Sequence, residues 1–204
     1  MTKDIYVFIE QRDNHILDGS KQLLAKALEL VSTIKSQKFE VVGVLLGHNC
    51  QGLVNEVFNA GADRLIVCDH EKLAHYNTQH YTNVLNEIIE KFQPDSFLVS
   101  ATTIGRDLAP RVAARANTGL TADATSIEID PTDENSTTLW VTRPAFGGNL
   151  FGTIVCPNTR PQMATIRPNV FKALSDDYKD SKREVIEYTY NCQEADVVVF
   201  NEII

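Results

Sequence analysis

With 204 residues, 43% of them hydrophobic and 23% charged, the chain has an ordinary globular composition and enough length for one large domain or two small ones. Its net charge of −8 speaks against a nucleic-acid partner, which needs a basic face. No apolar run approaches the roughly 20 residues that span a bilayer, and "MTKDIYVFIEQRDN" is too charged for a signal peptide, so a cytoplasmic protein is expected without membrane insertion.

The first half alternates apolar runs with helical periodicity. "IYVFIE" (5–10) predicts a strand, and Asp18-Gly19-Ser20 opens a helix in which Leu23, Leu24, Ala27, Leu28, Leu30, Val31 and Ile34 recur at helical spacing. "EVVGVLLG" (40–47) is apolar throughout, as a strand covered on both faces must be. "GLVNEVFNAG" (52–61) fits a short helix with Gly61 just past its end, a third strand covers 63–69, a helix over 77–92 takes Thr78 as its cap, and "SFLVSAT" (96–102) is a fourth strand. Strand and helix in alternation predict right-handed crossovers and a parallel sheet.

After about residue 120 helices disappear. "ATSIEID" (124–130), "TTLWVTR" (137–143), "LFGTIV" (150–155) and "QMATIRP" (162–168) are strand-like and closely linked, which predicts an antiparallel extension of the sheet. Residues 174–187 read as an exposed, charged connection, and "ADVVVFNEII" as a last strand. The fold class is therefore α/β, a doubly wound, mostly parallel, Rossmann-like sheet with an antiparallel extension, in a single domain over 1–204.

Chemistry-bearing motifs are sparse. Neither G-x-G-x-x-G nor G-x-x-x-x-G-K-[ST] occurs, which counts against a self-sufficient nucleotide site, although an adenine-nucleotide-binding domain stays an alternative. Cys50, Cys68, Cys156 and Cys192 stand far apart and read as free, mostly buried thiols rather than zinc ligands. His75 and His80, five apart among tyrosines, match no metal spacing and suggest a surface or interface cluster. In "SATTIGRDLAPRVAARANTGLTAD" (100–123) a buried strand ends at Thr102-Thr103, Gly105 permits a tight turn, and Pro110 suits the first turn of a helix. That helix carries Arg106, Arg111 and Arg115, the last two on one face.

"RPAFGGNLFGTIVCPNTRPQMATIRP" (143–168) packs three arginines, four prolines and three glycines into one run. Each arginine (Arg143, Arg160, Arg167) precedes a proline and so sits on extended backbone. Gly147 and Gly148 let backbone come close to another group. Together these residues predict a surface for an anionic or planar partner, the guanidinium being the side chain suited to both.

These two segments, with "IYVFIEQ", "HYNT" and "ADVVV", make the sequence resemble the N-terminal domain of the electron transfer flavoprotein α subunit over nearly its whole length. The resemblance implies a domain that docks on a homologous β subunit, the FAD-holding C-terminal domain of complete α subunits being absent from this chain. The form "TRPAFGGN…NTRPQMATIRP" looks like that of anaerobic bacteria whose complexes bifurcate electrons. There the β subunit carries a FAD that faces the α subunit and receives hydride from NADH. Electrons then divide between ferredoxin or flavodoxin and an acyl-CoA dehydrogenase. On that resemblance Arg143, Gly147, Gly148 and Asn149 lie near the partner-held FAD or NADH, and Arg106, Arg160 and Arg167 at the partner interface. A non-bifurcating carrier subunit with a docking role only is the other reading kept open.

Overall fold

The computed structural model describes residues 4–148 and 150–192. In chain order these form β1 (Ile5–Ile9), the small hairpin β2 (Gln11–Arg12) and β3 (His15–Ile16), α1 (Asp18–Thr33), β4 (Val41–Gly47), α2 (Val54–Asn59), β5 (Arg64–Asp69), α3 (Thr78–Phe92), β6 (Ser96–Ser100) and α4 (Thr103–Arg115). Then follow β7 (Leu120–Ala124), β8 (Ser126–Ile129), β9 (Leu139–Ala145), β10 (Leu150–Ile154), β11 (Gln162–Ile166) and β12 (Glu184–Glu187).

A seven-stranded parallel sheet runs in the order β12-β5-β4-β1-β6-β11-β7. Its central strand is β1, flanked by β4 and β6. All five β1 residues are buried because both faces are covered. Ile5, Val7 and Ile9 face a core completed by α1, α2 and residues of β8 and β9. Tyr6 and Phe8 face the opposite core, built with α3 and α4. The doubly wound, Rossmann-like class expected from the alternation is thus the class observed.

The second half departs from the expected layout in its details. β8, β9 and β10 are antiparallel, as their close spacing implied, but they pair with one another in a sheet of their own. The segment at 162–166 instead enters the parallel sheet as β11, between β6 and β7. Its five residues are all buried, so covering both faces outweighed the short sequence distance to β10. Within the stretch taken for a connection, residues 184–187 form β12, an edge strand parallel to β5. "ADVVVFNEII" lies outside the described residues. Two local expectations also change. Asn77, not Thr78, caps α3, its Oδ1 accepting from the N–H groups of Gln79 at 3.0 Å and His80 at 3.2 Å. Pro110 sits inside α4 rather than in its first turn.

One buried carboxylate ties the two sheets together. Asp95, 1% exposed and immediately before β6, accepts from Arg160 Nε at 2.8 Å, Gln162 Nε2 at 3.0 Å, Ser96 Oγ at 3.2 Å and Thr137 Oγ1 at 3.2 Å. Gln162 at the start of β11 also donates to the Thr137 carbonyl at 2.9 Å and accepts from Leu139 N–H at 2.7 Å, pinning the start of β9. Removing one partner of a buried pair strands the other charge. Arg160→Ala should therefore lower unfolding stability by about 3 kcal/mol in urea titration at neutral pH. A loss under about 0.5 kcal/mol, the range of ordinary surface substitutions, would show that Asp95 is satisfied without it.

Candidate functional site

In parallel sheets the carboxyl ends of the strands carry the ligand end, above all where the strand order reverses. Here that point lies at β1, since the chain proceeds from it to β4 and β5 on one side and later places β6 on the other. A cavity of about 220 Å³ opens there, lined among others by Glu10, Gln11, Leu46, His75, Tyr76 and Ile104. Glu10, 3% exposed, follows β1, and its carboxylate accepts from Thr102 Oγ1 at 2.5 Å. Thr102 in turn caps α4 by accepting from Gly105 N–H at 3.0 Å. A Cβ at Gly105 would stand 1.8 Å from the Ser100 carbonyl oxygen, so the need here is close approach of helix to strand rather than a turn.

Farther along the same edge, arginines from two elements converge on Asp123. Arg106, in α4, donates through Nη2 to Asp123 Oδ1 at 3.0 Å and through Nε to the Ala101 carbonyl at 2.9 Å. Arg167, just past β11, donates to both carboxylate oxygens, Nη2 to Oδ2 at 2.6 Å and Nε to Oδ1 at 3.3 Å. Those hydrogen bonds, with the charges of Arg106, Arg167 and Arg143, hold the Asp123 carboxyl below its usual range.

Arg143 reaches this cluster from β9. Alternation puts it on the same strand face as Leu139 and Val141, both buried. Among the described residues it is half-buried and has no hydrogen bond or ion pair of its own. Beyond it the chain turns through Gly147 (φ 71°) and Gly148 (φ 90°), exposed positions where a Cβ would meet nothing within 4 Å. Asn149 lies outside the described residues. On β10, which pairs with β9, Leu150 is 58% and Phe151 69% exposed.

The arginines singled out in the sequence thus divide. Arg106, Arg143 and Arg167 gather at the carboxyl edge, whereas Arg160 stands at the opposite edge, paired with Asp95. Arg111 and Arg115 turn to neighbours on the helical surface, Asp107 and Asn83. His80 is buried, its Nδ1 3.1 Å from the Tyr190 hydroxyl, so it belongs to the core and not to the surface cluster expected. Cys50 and Cys68 are buried, Cys156 half-buried and Cys192 exposed, all unbridged. Burial first, then nearby negative charge, pushes the Cys50 and Cys68 thiols up to about 12, so both are inert near neutral pH. Among the described residues no group of His, Cys, Asp and Glu suits a metal ion, and no helix is long and apolar enough to cross a membrane.

Glu10 and Asp123 were not singled out from the sequence. Each is an isolated acid at a strand end, and only the pairing order makes one the partner of Thr102 and the other of two arginines. Burial raises the Glu10 pKa, with the Thr102 hydrogen bond opposing it. The folded chain then binds this proton more tightly than the unfolded chain. The resulting stabilisation is full below the ordinary carboxylate range and fades as pH rises through the elevated value. Glu10→Gln should therefore gain stability relative to the parent chain between about pH 4 and about pH 7. Urea unfolding at a series of pH values measures this, and a difference that stays constant or shrinks contradicts it.

Residues 5–191 match the model of the electron transfer flavoprotein domain. The chain is 45% identical to an electron transfer flavoprotein subunit alpha of Clostridium acetobutylicum over 84% of its own length and 49% of that protein. It is 43% identical to the corresponding subunit of Megasphaera elsdenii over 99% of its length and 58% of that protein. A lactate dehydrogenase (NAD(+),ferredoxin) subunit LctC of Acetobacterium woodii is 42% identical over 84% of the chain and 39% of that protein. The chain spans about half the length of the curated relatives it matches. With the parallel sheet, its carboxyl-edge arginines and these matches together, the chain belongs to the electron transfer flavoprotein family, aligning with its α subunits.

Proposed function

We propose that this chain acts in electron transfer as the N-terminal α/β portion of an α subunit, docking on a β subunit and covering the FAD held there. Arg143 is the observation that carries this reading. The residue is half-buried and its side chain makes no hydrogen bond or ion pair with a described residue, while Arg106 and Arg167 are satisfied by Asp123. A cation without a hydrogen-bond partner in one chain fits a planar, electron-accepting group supplied by another. The exposed Leu150 and Phe151 give the same strand pair an apolar surface of the kind that interfaces cover.

The residues present fit a flavin held from outside. Among the described residues there is no glycine-rich phosphate loop that would hold FAD on this chain, whereas the open space at Gly147 and Gly148 admits a ring against the backbone. Arg143 would sit over that ring with Gly147, Gly148 and Asn149 alongside. Arg106 and Arg167 would line the interface, and Arg160 would serve the fold. A bound FAD supplies two-electron acceptance from NADH and delivery of electrons singly. The guanidinium of Arg143 would contribute a positive charge that favours negative charge on the ring.

The finer reading is bifurcation. NADH would give hydride to the β-bound FAD, one electron passing to ferredoxin or flavodoxin and the other toward an acyl-CoA dehydrogenase, in the cytoplasm. The name of the Acetobacterium woodii relative, which joins NAD(+) with ferredoxin, supports this over a docking-only carrier. In a complete α subunit paired with its β subunit, Arg143→Ala should cost about 2–4 kcal/mol of stabilisation of the reduced, anionic flavin. Arg143→Lys should recover only part, because an ammonium lacks the planar fork. Stepwise NADH titration, following the absorbance of each flavin, is the measurement. If Arg143→Ala assembles normally and its β-bound flavin is reduced to the same rate and extent, the flavin-facing assignment is wrong.

A further inference from the structure

The pair formed by Arg106 and Arg167 carries a property that needs neither a β subunit nor a flavin. Asp123 stands at φ 59°, in the left-handed region, where the register between β7 and β11 shifts. Its N–H donates to Thr165 Oγ1 at 2.9 Å, and Thr165 is buried, so this strained residue is held from below. The carboxylate, raised to the carboxyl edge, then locks two guanidiniums that reach it from separate elements. Each uses Nε and Nη2 inward, and neither Nη1 makes a hydrogen bond within the described residues. Both side chains are about half exposed, 56% and 46%, so those donors face solvent from fixed positions.

Charge decides which ligand fits. Three guanidiniums, with Arg143 close enough to act on the same carboxylate, stand against the one negative charge of Asp123 and leave this cluster two positive charges in an otherwise acidic chain. A carboxylate ligand would match one of them. An esterified diphosphate carries two, with oxygens spaced over two phosphorus centres that the Nη1 groups of two separate guanidiniums can engage.

We propose that Arg106 and Arg167, positioned by Asp123, form a diphosphate-binding seat on this chain. Because each guanidinium is anchored through Nε and Nη2 while Nη1 faces the ligand, lysine, which cannot do both, cannot replace either arginine. Calorimetric titration of the 204-residue chain with inorganic pyrophosphate, and separately with ADP-ribose, tests this. Binding of both assigns the seat to an esterified diphosphate, and binding of pyrophosphate alone assigns it to the free ion. Arg106→Lys and Arg167→Lys should each weaken binding about tenfold, the effect of losing one charge-assisted hydrogen bond. Arg111→Lys, at a residue that pairs with Asp107 on the helix surface, should bind as the parent does. Thermal unfolding without ligand checks that every variant is folded. The proposal is overturned if neither ligand binds, if the Arg106 and Arg167 lysine variants bind like the parent, or if Arg111→Lys loses as much as they do. Failure here would leave the NADH titration of Arg143 variants untouched, since that experiment reads a different residue in a different assembly.

Discussion

A single desolvated carboxylate, Asp95, decides how the two sheets of this molecule meet. It receives hydrogen bonds from the ends of three segments that are distant in sequence: the entry to β6, the entry to β9 and the approach to β11. A buried anion must be compensated by donors in good geometry or its burial is prohibitive. Satisfying it requires Arg160, Gln162 and Thr137 at once. That requirement sets where β9 begins relative to the parallel sheet, and so how far along the strand Arg143 comes to stand. The amino edge of the sheet is the anchor, and the carboxyl edge inherits its geometry.

The two edges are built on opposite electrostatic logic. At the amino edge charges are matched: Asp95 with Arg160, and Asp4 and Glu40 with Arg64 and Lys182, have little contact with water on the acidic side. At the carboxyl edge the matching is deliberately incomplete, because Asp123 is shared by two arginines and a third acts on it from β9. Matched pairs give a rigid base, and unmatched cations give the molecule something to offer. The negative charge of the rest of the chain makes that offer local rather than spread over the surface.

The parallel half was readable from sequence because its signals are local. Continuous apolar runs such as "EVVGVLLG", helical spacing from Leu23 onward and the Gly61 terminus each state their own structure within a few residues. Arg143, Gly147 and Gly148 were noticeable for a similar reason, being unusual residue types in unusual company. What escaped was everything set by pairing across long separations. "QMATI" looks like the next strand of an antiparallel run, and only its burial on both faces sends it between β6 and β7. Arg160 and Arg167 share the same Arg-Pro signature, yet they lie at the two ends of one strand and hence at opposite edges of the sheet. Asp123 gives no local sign of its role, since its partners come from α4 and from beyond β11.

The position of β11 also governs how this domain can assemble. Among the described residues, β7 pairs in the large sheet only with β11, which follows it by some forty residues and is itself held by β6. While a chain grows from its amino end, β7 therefore has no strand beside it in that sheet until the whole antiparallel excursion through β8, β9 and β10 has been made. Closing that loop is an entropic cost met before the reward of pairing arrives. The antiparallel sheet is then not an ornament added to a finished core but a link inside the core's own wiring. Severing the chain anywhere between residues 125 and 161 would separate β11, the strand that joins β7 to β6, from all the strands that precede it in the large sheet's sequence order.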